Sequence, residues 1–136
     1  MDSISSLWTD VENNGMIRLA DGASETEGRV EVFYNGRWGT VCDDSFGEPD
    51  VQVVCRQLGY NAFGVTLEVP PGSGAIWMDD LECSGDEKSL SLCQFAGWGI
   101  ENCSHEEDVG VRCFSEEKGM FFLIVSEYIN YHLQQK

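Results

Sequence analysis

Residues 28–44 read GRVEVFYNGRWGTVCDD, and this stretch decides the fold. Asn35-Gly36 sits between two runs rich in β-branched and aromatic residues, and Asn-Gly readily adopts the positive φ angles that a two-residue type I′ hairpin demands. Residues 29–34 and 37–42 are therefore expected as paired strands. The second strand ends on Cys42 and then exposes Asp43 and Asp44, two adjacent like charges that need solvent or a cation to compensate them.

The chain of 136 residues suits one domain plus tails, enough to bury roughly two-thirds of its unfolded surface. Twenty-four acidic residues against eight basic ones give a net charge of −16. The basic residues are scattered singly, so nothing in the sequence offers a patch for nucleic acid or an anionic membrane surface. An acidic surface favours cations and basic partners. Six cysteines, an even number with no C-x-x-C pair, form a disulfide framework rather than a zinc site. That implies an oxidising compartment. Residues 1–10 have neither the basic start nor the apolar run of a secretory signal, so the expectation is a piece of a longer protein whose targeting signal lies outside this sequence.

Taken in order, residues 1–16 are polar and mixed and read as a linker. Residues 17–20 give a short strand, followed by a polar turn region and then the hairpin. Beyond Asp44, Pro49 suits the first helical position. Val51, Val54, Cys55 and Leu58 then fall at i, i+3, i+4 and i+7, one face of a helix that Gly59 ends. Residues 65–69 and 75–78 suit short strands separated by Pro70-Pro71-Gly72-Ser73-Gly74. Ser84 and Glu87 stand at capping-box spacing and suggest a brief helix over residues 86–93. Residues 94–101 are a Gly- and Trp-containing loop, residues 102–108 form an acidic loop, and residues 109–114 alternate as a closing strand. The tail, residues 115–136, contains six consecutive apolar residues at 120–125, too few for a membrane span of about twenty. It reads as an appendage outside the domain.

Five ordered motifs closely resemble the scavenger receptor cysteine-rich domain: the opening stretch, VVCRQLGY (53–60), IWMDDLECSGDE (76–87), SLSLC (89–93) and NCSHEEDVGVRC (102–113). The match covers residues 17–114. The resemblance implies an extracellular α+β fold, a curved antiparallel β-sheet cradling one main α-helix with a short second helix beside it. The six cysteines match the group A pattern. From sequence alone six cysteines allow fifteen pairings; the family pattern implies Cys42–Cys103, Cys55–Cys113 and Cys83–Cys93, each contributing roughly 3 to 4 kcal/mol on a chain-entropy estimate.

With Cys42 bonded to Cys103, Asp43 and Asp44 lie near Ser104-His105-Glu106-Glu107-Asp108, and several carboxylates converge. Hard cations take six to eight oxygen ligands from such clusters, with water completing the shell. The resemblance carries over Asp43, Asp44 and Glu107 as a first metal site, and Asp79 with Asn102 as a second, less regular one. The implied ion is Ca²⁺, with Mg²⁺ as the alternative, held weakly because the carboxylates come from separate loops. Solvated acidic loops are commoner than metal sites, and no EF-hand loop is present; the family match is what favours the metal. His105 has no G-x-S-x-G nucleophile and does not stand in an H-E-x-x-H motif, so it is expected as structural or exposed. Trp38, Trp77 and Trp98 read as core more than as a ligand platform. Arg29 and Arg37 are weak candidates for contacting an anionic ligand. Asn102-Cys103-Ser104 fits the N-glycosylation pattern, with low occupancy expected because Cys103 is implied in a disulfide.

The expected function is a non-enzymatic ligand-binding module of a secreted or cell-surface protein. It would serve pattern recognition in innate immunity or protein–protein interaction, its protein or microbial-surface ligands held through a bridging cation. The alternative is a non-catalytic accessory domain of a larger secreted or membrane-bound enzyme. No nucleic-acid partner and no membrane insertion of this domain are expected.

Overall fold

The Asn35-Gly36 turn forms with both central residues at positive φ, 51° and 78°, in a computed structural model that describes residues 12–114. The hairpin joins β2 (Glu27–Tyr34) to β3 (Arg37–Val41) with Tyr34 opposite Arg37 and Glu31 opposite Thr40. β1 (Ile17–Ala20) pairs antiparallel with residues 29–32 of β2. Its pairing begins further upstream, because the Gly15 N–H donates to the Phe33 carbonyl at 2.8 Å and the Phe33 N–H to the Met16 carbonyl at 2.8 Å. β4 (Gly64–Leu67), β5 (Ile76–Met78) and β6 (Gly110–Cys113) complete the sheet, in the order β4-β6-β2-β3-β5 with β1 on β2. The tail, residues 115–136, and the first eleven residues of the expected linker lie outside the described residues.

The α+β architecture implied by the sequence is present, with two differences of detail. The sheet is mixed: β3 and β5 run parallel, Thr40 beside Ile76 and Val41 beside Met78. The chain leaves β3, crosses through α1 (Glu48–Gln57) and β4, and returns to the sheet edge, the long crossover that a parallel pair requires. Gly39 makes room there, since a Cβ at that position would collide with the Trp77 indole and the Ala75 carbonyl. The second helix reduces to one 3₁₀ turn at Leu90–Leu92. Cys83–Cys93 explains this, holding its two Cα atoms 4.7 Å apart. An α-helix from Asp86 to Cys93 would span about 10 Å, leaving three fully extended residues for the return. Instead the Glu87 carboxylate folds the segment into a tight turn by accepting the N–H groups of Ser84 and Gly85.

The core lies between α1 and the concave face of the sheet. Val51, Val53, Val54 and Cys55 of α1 meet Val30, Val32, Val41, Met78 and Val111, with Leu81 and Leu90 closing one end. Each such side chain contributes about 1.5–3 kcal/mol when fully buried. Pro49 occupies the second helical position rather than the first; Leu58 caps the helix and Gly59 follows at φ 90°. Asp50 ties the helix start to the rest of the fold, one carboxylate oxygen accepting the Gly47 N–H and the other the Cys83 N–H, each at 2.8 Å. Cys55–Cys113 fastens the helix to β6.

The opposite face of β2 is also buried, but by ionic groups. Arg29, 5 % exposed, donates to Glu31 at 3.0 Å, to Asp21 at 2.6 Å and to the Pro70 carbonyl at 2.8 Å. Arg18 supplies a second partner to Glu31 at 2.7 Å and stacks 4.2 Å over the Trp38 ring. Asp108 accepts the Gly72 N–H at 2.7 Å, and His105 joins Asp108 through Nδ1 and the Gly74 carbonyl through Nε2, each at 2.9 Å. Arg29, Asp108 and His105 thus hold residues 70–74 across the sheet.

Glu31→Ala should cost about 3–5 kcal/mol, because it strips a buried guanidinium of one partner. Arg18→Ala should cost under about 1 kcal/mol for the ion pair, since Arg18 is half exposed. Chemical denaturation of both variants checks the contrast. Burial pulls the His105 pKa down, but the Gly74 carbonyl and the Asp108 carboxylate outweigh it, and the net direction is upward from 6.5. Its stabilisation is therefore fully present below the unfolded value and lost as pH rises through the folded one. The stability difference between wild type and His105→Gln should be larger at about pH 5 than at about pH 9 in urea titrations.

A candidate divalent-cation site at the acidic edge

Two backbone strands of unlike origin are brought side by side at the end of β3. Cys42 pairs with Asp108 as an isolated bridge, the Val109 N–H donates to the Val41 carbonyl at 2.9 Å, and the Asp43 N–H donates to the Glu107 carbonyl at 2.8 Å. Cys42–Cys103 locks the same two segments covalently across a sequence separation of 61. Immediately beyond, the Phe46 N–H donates back to the Asp43 carbonyl at 3.1 Å, with Ser45 at φ 65°. That turn sets Asp44 at the junction of the two segments.

Asp44 belongs to two carboxylate groups at once. Its oxygen lies within 4.8 Å of one on Glu107, and it forms a second set, at the same limit, with Asp79 and Asp80. The sulfurs of Cys42 and Cys103 fall within the first set but are consumed in the disulfide. Sγ of Cys103 lies 3.5 Å from Oδ2 of Asp44 as a plain contact, since a disulfide sulfur has no proton to donate. Asp79 is 2 % exposed, and its carboxylate accepts the Asp80 N–H at 2.8 Å and the Asn102 N–H at 3.3 Å. Glu107 accepts the Ser104 N–H at 3.0 Å, which anchors the 3₁₀ turn His105–Glu107.

The residues expected as two separate sites are joined through Asp44. The Asp43 carboxylate falls in neither set and lines an open cavity of about 600 Å³ together with Phe46, Glu68, Glu106 and Asp108. Asn102 donates its backbone N–H to Asp79, and its Oδ1 lies 3.8 Å from Sγ of Cys103. Asp80, a neighbour of the expected ligands, is not among the residues that the family resemblance carries over. The signal for it was present in Asp79-Asp80, a second Asp-Asp pair like Asp43-Asp44, and φ 54° at Asp80 marks the turn that sets it beside Asp44.

Charge at this edge is one-sided. Among the described residues, the arginine and histidine ion pairs go to Asp21, Glu27, Glu31 and Asp108, and none reaches Asp43, Asp44, Asp79, Asp80 or Glu107. Desolvation, then the negative charges of Asp79, Glu107, Asp43 and Asp80, raise the Asp44 pKa above its ordinary value. Clustered hard oxygen donors without a cationic side chain fit a Ca²⁺-type ion, whose remaining ligands would be water.

Arg29 is committed to internal partners, whereas Arg37 is exposed and forms no side-chain ion pair among the described residues. Trp77 and Trp98 pack against the core around Tyr34, which stacks on Trp98 at 4.1 Å, and Trp38 lies beneath Arg18.

A family model described as the scavenger receptor cysteine-rich domain matches residues 20–114. Rat galectin-3-binding protein is 46 % identical over 121 residues, covering 87 % of this chain and 21 % of that protein. Zebrafish lysyl oxidase homolog 3B is 52 % identical over 93 residues, covering 66 % of this chain and 12 % of that protein. The chain thus spans about a fifth or less of these relatives. Among solved structures, the third such domain of murine neurotrypsin aligns at TM-score 0.67 and 46 % identity, covering 72 % of this chain and 94 % of that one. The corresponding domain of mouse MARCO, in its dimeric form, aligns at 0.62 and 46 %, covering 71 % and 93 %. With three disulfides in the six-cysteine arrangement, the chain belongs to the scavenger receptor cysteine-rich family, whose domains are extracellular protein-interaction modules.

Proposed function

We propose that the domain binds protein or microbial-surface ligands in a cation-dependent manner, at the edge formed by Asp44, Glu107, Asp79 and Asp80. The observation that supports this most directly is the position of Asp44, shared by two carboxylate sets and faced by no basic side chain among the described residues. A divalent cation held by these oxygens would supply positive charge, so that an anionic group on a ligand is attracted to a protein of net charge −16. Asp43, with Glu106 and Glu68 in the adjoining cavity, extends the same surface and favours basic groups on the partner. The exposed Arg37 lies apart from this cluster in sequence and is retained as a weak contact.

A second reading, an accessory binding domain of a larger secreted or membrane-bound enzyme, is supported by the similarity to lysyl oxidase homologs, of which the matching region is only a small part. The two readings are compatible, since the accessory domain would bind by the same surface.

Ca²⁺ should raise the melting temperature of EDTA-treated domain with an affinity in the range of about 10⁻⁴–10⁻³ M usual for extracellular modules. At about 100-fold above that dissociation constant, stabilisation should reach about 2.7 kcal/mol. Asp44→Ala should abolish the response, whereas Asp43→Ala should reduce it; calorimetry with and without EDTA reads both, and a wild type indifferent to Ca²⁺ refutes the mechanism. The metal-free protein supplies an internal control. Asp44 has a folded pKa raised above 3.8, so stability declines as pH rises through that window and the repulsion is fully developed above it. Asp44→Asn should therefore be more stable than wild type in EDTA at neutral pH, and the order should reverse in saturating Ca²⁺.

A further inference from the structure

We propose that Asn102 carries an N-linked glycan, rooted at the rim of the acidic edge. Asn102-Cys103-Ser104 is the only N-x-S/T sequence in the chain. Its middle residue is bonded to Cys42, which from sequence alone argues for low occupancy. The folded geometry nevertheless leaves room for the modification. Asn102 and Ser104 are both exposed, on either side of the disulfide-bonded Cys103 in a segment without regular structure. Among the described residues, the backbone of Asn102 makes one tie to the acids, its N–H to Asp79. Its Oδ1 lies 3.8 Å from the disulfide sulfur of Cys103, which has no proton to give, and no hydrogen bond engages its Nδ2 among the described residues. A sugar on Nδ2 therefore displaces no contact of the fold.

The transfer itself needs a lipid diphosphate-linked oligosaccharide and the membrane transferase of the secretory pathway. Nδ2 attacks the anomeric carbon, the new N–C bond replaces the C–O bond to the diphosphate, the lipid diphosphate leaves, and the Nδ2 proton passes to a base of the transferase. The reaction acts on the chain before it folds. Cys42 enters the lumen 61 residues ahead of Cys103, so closure of the disulfide competes with transfer only once Cys103 itself has emerged, and by then Asn102 has emerged too. The glycan would be rooted beside Asp79, whose carboxylate accepts the Asn102 N–H.

This inference rests on the extracellular reading of the domain. The test is expression of the full chain behind a secretion signal in cultured animal cells, with peptide N-glycosidase treatment and mass spectrometry of the Asn102 peptide in ¹⁸O-water. Wild type should shift by one glycan and acquire the isotope at residue 102; Asn102→Gln and Ser104→Ala should do neither. Cys42→Ser, read on total intracellular protein so that folding is not required, should be occupied at least as fully as wild type. Secreted, disulfide-bonded wild type that is unmodified at Asn102 overturns the proposal while leaving the extracellular reading intact. So does a glycan found on Cys42→Ser alone, because the disulfide then closes first. A chain retained inside the cell with reduced thiols overturns both.

Discussion

The junction of residues 41–43 with residues 103–109 is the constraint on which the acidic edge depends. Asp44 lies within 4.8 Å of Glu107 and, in a second set, of Asp79 and Asp80; these carboxylates repel one another, and nothing in their own chemistry would bring them there. Two backbone hydrogen bonds and the Cys42–Cys103 bond hold the segments together regardless. In the chain-entropy view, closing a loop of about 60 residues removes enough freedom from the unfolded chain to offset such repulsion. The disulfide is thus as much a part of the proposed site as the oxygens are.

Behind that edge, the convex face of β2 is stabilised by charge where the concave face is stabilised by apolar contact. Arg29 and Glu31 alternate with Val30 and Val32 along one strand, all four buried. The valines face α1; the ionic pair faces residues 70–74. Asp108 connects the two halves of the molecule, accepting from Gly72 and pairing with His105 while its neighbour Glu107 turns toward Asp44. The turn that presents Glu107 is therefore braced by the same network that holds the Pro-Pro-Gly segment.

What could be read from the sequence was whatever its short-range pattern encodes. Asn35-Gly36 specifies its turn through two φ angles, and Val51, Val54 and Cys55 specify a helical face through their spacing, so the hairpin and α1 formed where expected. The disulfide pairing came through the family resemblance rather than from spacing. The parallel pairing of β3 with β5 depends on where a long crossover lands, and no local signal carries that. Residues 86–93 had a cap motif but were prevented from forming an α-helix by a covalent closure three residues upstream. At the acidic edge, the segments that meet were foreseeable from Cys42–Cys103. Which oxygens meet was not, because nothing local to the Asp43-Asp44 pair says which of the two comes within 4.8 Å of Glu107.

Sharing Asp44 between its two flanks makes the edge a single thermodynamic unit. Whatever neutralises this one carboxylate, a proton or an ion approaching from the Glu107 side, relaxes the field felt by Asp79 and Asp80 as well. Occupancy of one flank is then felt at the other by linkage alone, with no movement of the chain between them.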